Sequence, residues 1–81
     1  MKSKERSKQI MSENSIEVLR NNLKGYRVKA GFTQMSAAEA LGVSVTTFNR
    51  WEQKPEKLDF DKFIKLASLY SVPISDFFVN V

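Results

Sequence analysis

Carboxylates, amides, hydroxyls and basic groups are the side chains through which this chain can do chemistry, because it contains neither histidine nor cysteine. The common zinc sites, the Ser-His-Asp arrangement and the Cys-His pair all need one of those two residues. Carboxylates remain for acid–base work, but no two of them lie in an apolar run that would raise a pKa. We therefore expect no enzymatic activity, no metal site and no cofactor.

One short segment collects side chains that can form directional hydrogen bonds. In residues 43–53, the apolar Val43, Phe48 and Trp51 are spaced so that they turn toward a core. The helical period then turns four other side chains outward, namely Val45, Thr46, Asn49 and Arg50. Such a face is either simply solvated, as most Thr, Asn and Arg residues are, or it contacts a ligand.

The net charge is mildly positive. Thirteen Lys and Arg against nine Asp and Glu give a formal charge of +4 at pH 7. This excess is compatible with a polyanionic partner, and simple solubility explains it equally well. Residues 1–13 are polar and predict a flexible arm whose basic residues either neutralise phosphates or solubilise the chain; they are Lys2, Lys4, Arg6 and Lys8.

Nothing in the sequence predicts insertion into a membrane or export. No apolar run approaches the roughly 20 residues that span a bilayer. The N-terminus is basic, but no apolar segment of the kind found in secretory signals follows it. We therefore expect a cytoplasmic protein.

The first predicted helix covers residues 15–30. Asn14 can cap it while Glu17, three residues later, reaches back as in a capping box. An apolar stripe at helical spacing runs along it and consists of Leu19, Leu23, Tyr26 and Ala30. Gly31 should end this helix, because glycine adopts the left-handed conformation without a Cβ penalty.

Two short helices are predicted next, with a tight connection between them. Thr33 can cap a helix over 34–41, and Gly42 breaks it. Ser44 can then cap a helix over 45–53. So short a connection forces the two helices to meet at a steep angle.

The rest of the chain predicts two more helices. Asp59 can cap a fourth, whose inward stripe would be Phe63, Leu66, Ala67 and Tyr70. Pro73 is tolerated in the first turn of a fifth, over about 74–79. No segment has the period of two that marks a strand. We predict an all-α fold of five helices, with residues 14–81 as one domain.

The segment FTQMSAAEALGVSVTTFNRWE resembles the Cro-repressor-type (XRE) helix-turn-helix family. Its matching positions are Thr33-Gln34, Ala38, Leu41-Gly42-Val43-Ser44, Thr47 and Arg50-Trp51-Glu52. The resemblance continues through LASLYSVPISDFF and covers most of the chain. It implies a compact, lambda-repressor-like DNA-binding domain, in which Ala38 is small because the next helix crosses closely and Gly42 needs a positive φ.

The resemblance implies that the outward face of the third helix enters the DNA major groove. Base contacts are then implied for Val45, Thr46, Asn49 and Arg50. Arg50 fits guanine O6 and N7, Asn49 fits adenine, and the methyl groups of Val45 and Thr46 fit a thymine methyl. A solvated face remains the alternative.

Contacts to the DNA backbone are implied for Gln34, Ser44, Thr33 and Lys54. The first three lie at helix N-termini, where free N–H groups and the helix dipole favour a phosphate. Such contacts fix register without reading sequence. The alternative for Ser44 is plain N-capping, and the alternative for Lys54 is a solvated side chain.

Arg27 and Glu52 stand at positions that form an internal ion pair in members of the family. The pair would fix where the third helix begins and ends. The alternative is that Arg27 contacts a phosphate. Removal of one partner of a buried pair is costly, because the other charge is left uncompensated.

The chain departs from the family pattern at two places. Ala37 stands where relatives often have Leu, and the large Phe48 can refill that volume. Lys54 stands near the usual place of a Gly, and the loop 53–58 looks a residue longer than in some relatives. Contacts between this loop and DNA are therefore in doubt.

The last five residues are crowded with apolar side chains, namely Phe77, Phe78, Val79 and Val81. Either the core of the domain or a second copy of the chain must cover them. We favour a homodimer, because a single module offers few contacts for tight specific binding. A dimer would place two recognition helices about 34 Å apart and predict a pseudo-palindromic operator.

The leading hypothesis is a sequence-specific transcriptional regulator that binds double-stranded DNA, with repression favoured over activation. A second hypothesis is an antitoxin that binds its own operator and a toxin protein. A third is a protein-interaction module that kept the fold and lost DNA binding. Gln34, Thr46 and Arg50 argue against the third, because they retain the side chains that DNA contact needs. Glu39 is a possible contact to RNA polymerase in an activator.

Overall fold

The structure, a computed structural model, describes residues 13–79, and within that range it contains helices and no strand. The α-helices are α1 (Glu13–Lys29), α2 (Gln34–Leu41), α3 (Val45–Gln53) and α4 (Phe60–Tyr70). Two 3-10 helices, Pro55–Lys57 and Ile74–Phe78, complete the described elements. The all-α prediction is confirmed over this range. The predicted arm, apart from Glu13, lies outside the described residues, and so does Val81.

The predicted count of five α-helices is wrong, because the last element is a 3-10 helix. Ile74–Phe78 follows Pro73 and has five residues. The Asp76 N–H donates to the Pro73 carbonyl at 2.9 Å, which is the shorter-range bond of a 3-10 turn. A segment of this length forms too few of the longer-range bonds that stabilise an α-helix, whereas 3-10 helices are usual in short pieces. Pro55–Lys57 is also helical in a segment predicted as a loop.

The start of α1 differs from its prediction. Glu13 and Asn14 are already helical, so Asn14 does not cap the helix. The Glu17 carboxylate accepts a hydrogen bond from Arg20 Nη1 at 2.8 Å instead of reaching back to a capping box. The helix begins six residues before Leu19, the first residue of the predicted stripe, so the stripe does not mark the helix start.

The end of α1 also differs from its prediction. Leu23 is buried, and Leu19 and Tyr26 pack against the core as the stripe requires. Ala30, predicted to continue the stripe, is exposed in the turn after Lys29. The helix ends one residue before Ala30, and Gly31, with a φ of +88°, then turns the chain into the next segment.

The connection between α2 and α3 is built from local capping signals, and both helices have their predicted bounds. Thr33 Oγ1 accepts from the Ser36 N–H at 3.0 Å, and the Ser36 hydroxyl accepts from the Thr33 N–H at 2.9 Å. Gly42 has a φ of +73°, and the Val43 N–H reaches back to the Ala38 carbonyl at 3.0 Å. These bonds satisfy the backbone groups at both ends of α2.

The core lies between α1, the α2–α3 pair and α4. Its largest fully buried apolar side chains are Leu23, Phe48, Leu66 and Phe77. Ala37 and Phe48 are both completely buried. This is required if the large Phe48 fills the volume that the small Ala37 leaves. The predicted inward residues of α4 are all buried.

Two caps fix the ends of α4. Asp59 accepts a hydrogen bond from the Lys62 N–H at 3.0 Å, as the sequence predicts. Ser71 ends the helix in the left-handed conformation with a φ of 59°, a role that glycine usually takes. None of the helices within residues 13–79 combines the length and the apolarity that crossing a membrane requires.

Candidate nucleic-acid interface

Helix α3 has two faces of opposite character. On one side Phe48 and Glu52 are buried. On the other side lie four exposed residues, which we call the α3 outer face: Val45, Thr46, Asn49 and Arg50. The structure therefore brings together on one exposed surface all four residues for which base contacts are predicted.

Both ends of α3 are tied down. At its start, the Ser44 hydroxyl accepts a hydrogen bond from the Thr47 N–H at 3.1 Å. At its end, Arg20 Nε donates to the Gln53 carbonyl at 3.1 Å, across 33 residues of sequence. Sequence reasoning misses Arg20. An arginine on α1 that caps another helix has the same local pattern as an arginine that is only solvated. The two contacts fix the position at which the α3 outer face is presented.

A buried ion pair joins α1 to α3. Arg27 Nε donates to Glu52 Oε2 at 2.6 Å, and Arg27 Nη2 lies 3.4 Å from Glu52 Oε1. Arg27 Nη1 also donates to the Phe32 carbonyl at 2.9 Å. The Arg27 side chain is 8% exposed, and all three of its guanidinium nitrogens have partners within the domain. The two charges compensate each other inside the protein, which is the condition for burying them.

Gln34 links this ion pair to the α3 outer face. Gln34 Nε2 donates to Glu52 Oε1 at 3.0 Å, and Asn49 Nδ2 donates to Gln34 Oε1 at 3.1 Å. Gln34 is half-buried and Asn49 is exposed. The sequence predicts separate roles for the two residues, Gln34 at a phosphate and Asn49 at a base. In the structure their side-chain amides are hydrogen-bonded to each other.

The other predicted phosphate contacts surround α2 and α3. The hydroxyls of Thr33 and Ser44 accept the capping hydrogen bonds of their helices, and both residues remain exposed. Lys54 is exposed at the end of α3, where its N–H donates to the Arg50 carbonyl at 2.9 Å. Each of these residues thus forms a hydrogen bond at a helix end, through its hydroxyl or its backbone N–H, and is still accessible to solvent.

The C-terminal apolar residues divide between the core and the surface. Phe77 is completely buried, and its ring lies 6.0 Å from that of Tyr26. Phe78 and Val79 remain 56% and 50% exposed. Asn22 Nδ2 holds this segment by donating to the Phe77 carbonyl at 2.8 Å and to the Val79 carbonyl at 2.9 Å. Sequence reasoning misses Asn22, since its partners are 55 and 57 residues away.

Two ionisable groups associated with α4 have shifted pKa values. Hydrogen bonds from the backbone and the side chain of Lys62 hold the pKa of the Asp59 carboxyl below its ordinary value of 3.8. Burial raises the pKa of the Tyr70 hydroxyl well above 10, and the nearby Glu52 carboxylate adds to this. Neither group lies on the α3 outer face. Within residues 13–79, no three acidic side chains gather where they could hold a metal ion.

The helix-turn-helix family model matches residues 23–77, which is more than half of the chain, and the chain belongs to this family, in its XRE-type branch. The chain is similar to the HTH-type transcriptional regulator ImmR of Bacillus subtilis (strain 168), with 39% identity over 54 residues. That match covers 67% of this chain and 42% of the relative, so the chain spans less than half of the relative's length. No solved structure was found that matches the chain significantly.

Proposed function

We propose that this protein is a sequence-specific DNA-binding transcriptional regulator, and that it acts as a repressor. The observation that carries the proposal is the α3 outer face, which presents Val45, Thr46, Asn49 and Arg50 together on an exposed helix in a helix-turn-helix domain. A helix of this motif fits the major groove with its exposed residues against the base edges. The similarity to a transcriptional regulator supports the same function.

In this proposal, all four residues of the α3 outer face contribute to base recognition. An exposed arginine can donate two hydrogen bonds to guanine O6 and N7, and an asparagine can pair with adenine. The methyl groups of Val45 and Thr46 fit beside a thymine methyl. Val45 is 41% exposed, so its methyl groups are accessible to such a contact.

The proposed backbone contacts come from the ends of α2 and α3. Thr33 and Ser44 lie at helix N-termini, where backbone N–H groups and the helix dipole attract phosphate. Gln34 and Lys54 add an amide and a charge beside them. The net charge of +4 also favours binding to a polyanion.

We propose further that the protein binds as a homodimer to a pseudo-palindromic operator. Exposed aromatic side chains support this: Phe60 on α4 is 66% exposed, and Phe78 is 56% exposed. The ring centroids of Phe63 and Phe78 lie 5.3 Å apart, so Phe78 packs against a buried residue of α4. A second copy that covered these residues would also double the number of DNA contacts, which a single small module needs for tight binding.

The same exposed aromatic residues favour one second candidate, an antitoxin that binds its operator through α3 and a toxin through this apolar surface. The two candidates differ in what covers Phe60 and Phe78. Analytical ultracentrifugation of the purified chain distinguishes them. A dimer that dissociates on a Phe60→Ser substitution favours the homodimeric regulator, whereas a stable monomer leaves the surface free for another protein.

Selection of binding sites from random DNA duplexes tests DNA recognition itself. The proposal predicts enrichment of one related set of sequences. The affinity for them should fall steeply as salt rises, because each lysine or arginine on a phosphate releases counterions. Recovery of random sequence only, from folded protein, would refute the proposal.

A further inference from the structure

A chain of hydrogen bonds runs from the inside of the domain to the α3 outer face. It starts at the Arg27–Glu52 pair, passes through the amide of Gln34 and ends at the amide of Asn49. Its outer part joins two helices, because Gln34 of α2 lies 15 residues from Asn49 and 18 residues from Glu52, both on α3. This series of hydrogen bonds therefore exists only because α2 and α3 cross at this point.

Elementary chemistry fixes the direction of every bond in this chain. A carboxylate that faces a guanidinium can only accept hydrogen bonds, so Gln34 must turn its NH₂ group toward Glu52. The carbonyl oxygen of Gln34 is then left to face Asn49, and an oxygen cannot donate. Asn49 must consequently turn its own NH₂ group toward Gln34. The buried charge thus orients the amide of Gln34, and Gln34 in turn orients the amide of Asn49.

We infer that Glu52, acting through Gln34, is a positioning residue that fixes the side-chain amide of Asn49 so that it selects adenine over guanine. This inference rests on the proposed function. In the fixed orientation Asn49 keeps one free N–H beside its free Oδ1. That pattern of one donor and one acceptor matches N7 and the N6 amino group of adenine. Guanine presents two acceptors at the same edge and needs two donors, which the oriented amide does not offer.

A positioning role for Gln34 differs in its consequences from a phosphate contact. Loss of a phosphate contact lowers the affinity for all sequences by the same factor, because such a contact reads no base. Loss of the positioning role lets the amide of Asn49 rotate and relaxes the preference at one base pair. The two roles can coexist, because Gln34 Nε2 has a second N–H. They are distinguished by measuring the base preference of each variant at every position of the duplex.

The first part of the test uses the free protein. The variant is Gln34→Met, which has a similar length and no hydrogen-bonding amide. The side-chain NH₂ resonances of Asn49 are compared by ¹H–¹⁵N NMR, and the backbone resonances report whether the domain stays folded. We expect the Asn49 NH₂ resonances to move while the fold persists. Unchanged Asn49 NH₂ resonances would overturn the inference without reference to DNA.

The second part uses a duplex obtained from the site selection. The base pair opposite Asn49 is identified as the one at which Asn49→Ala loses its preference. At that pair, the preference of Gln34→Met for adenine over guanine should fall roughly tenfold relative to wild type. Preferences at the other pairs should stay the same. Lys54→Ala, a proposed phosphate contact, is the matched control and should weaken all duplexes equally.

The outcomes separate the inference from the proposed function. If the wild type is selective but Gln34→Met keeps the preference for adenine, or weakens all duplexes equally, the positioning role is wrong and the regulator stands. The inference also fails if Asn49→Ala changes no preference at any pair. If the wild type shows no selectivity at all, the proposed function fails, and the NMR comparison alone reports whether the amide of Asn49 is oriented.

Discussion

Arg27 of α1 and Glu52 of α3 form a buried ion pair, with 2.6 Å between Arg27 Nε and Glu52 Oε2. Their side chains are 8% and 7% exposed. The pair joins α3 to α1 on the buried side of α3, while the α3 outer face remains exposed. A contact of this kind contributes more to position than to stability, because desolvation of both charges offsets most of their attraction.

The first prediction concerns this pair. Arg27→Met should lower the free energy of unfolding by about 3–5 kcal/mol, because it leaves the Glu52 carboxylate buried and without its cation. The double variant Arg27→Met/Glu52→Leu should be more stable than Arg27→Met, since neither charge remains. Urea unfolding followed by the fluorescence of Trp51, the single tryptophan of the chain, measures both. A double variant less stable than Arg27→Met would contradict this account of the pair.

The second prediction concerns Asn22, which ties the C-terminal segment to α1. Its Nδ2 donates to two backbone carbonyls, those of Phe77 and Val79. Asn22→Ala leaves these carbonyls without the amide and should lower the free energy of unfolding by about 1–3 kcal/mol. Asn21→Ala is the matched control, because Asn21 is the exposed neighbour on the same helix. Asn21→Ala should leave the stability unchanged or raise it slightly, because alanine has the higher helix propensity. Equal changes in the two variants would show that the hydrogen bonds of Asn22 add no stability.

The third prediction is a loss of stability in acid that depends on Asp59. Its pKa is held below 3.8 by hydrogen bonds from Lys62, so the folded state prefers the ionised carboxylate. A depressed pKa adds stability above the unfolded value, and that stability is lost as the pH falls through the folded value. Asp59→Asn keeps an N-cap but removes the charge. The difference in urea midpoint between wild type and this variant should be largest at neutral pH.

The same difference should shrink as the pH falls below 3.8, because wild-type Asp59 then also becomes neutral. Urea titrations at a series of pH values check this, and the ¹³C chemical shift of the Asp59 carboxyl reports its titration directly. A difference in midpoint that is the same at every pH would exclude a contribution from the Asp59 charge.

The fourth prediction is a loss of stability in alkali that depends on Tyr70. Burial and the Glu52 carboxylate raise the pKa of its hydroxyl, so the folded state prefers the neutral phenol. A raised pKa adds stability below the unfolded value of about 10, and that stability falls as the pH rises above it. Tyr70→Phe cannot ionise, and its stability should therefore decline less in this range. Parallel declines in the two proteins would rule the effect out.

Near neutral pH, Tyr70→Phe should change the stability little. The Tyr70 hydroxyl is buried without a hydrogen-bond partner among the described residues, so its removal costs no bond to them. Its ring contacts remain available to phenylalanine, since Phe32 and Phe77 lie 6.2 Å and 6.4 Å from the Tyr70 ring. Urea unfolding at pH 7 provides this reference for the alkaline series.

The sequence predicts the parts of the fold that are encoded locally. The bounds of α2 and α3 follow from the caps Thr33 and Ser44 and from the left-handed Gly42, all within a few residues of the helices they limit. The burial of Phe48 follows from the helical period in the same way. Local capping and spacing act within one turn, so a single sequence is enough to read them.

The parts that the sequence does not predict depend on segments that meet only in the fold. Arg20 reaches Gln53 across 33 residues, and Asn22 reaches Phe77 across 55. The hydrogen bond between Gln34 and Asn49 is missed too, since it requires the crossing of α2 and α3. The 3-10 form of Ile74–Phe78 is also missed, because proline and apolar spacing do not distinguish it from an α-helix.

The measurement that tests the central claim most directly is binding by fluorescence anisotropy to a selected duplex and to a random duplex. Three proteins are compared: wild type, Arg50→Ala, and Lys65→Ala as a control that removes the same charge from α4. The account predicts that Arg50→Ala loses about 1–3 kcal/mol of discrimination between the two duplexes. Lys65→Ala should keep the discrimination of the wild type. If Arg50→Ala distinguishes the two duplexes as well as the wild type does, the α3 outer face does not read DNA through Arg50.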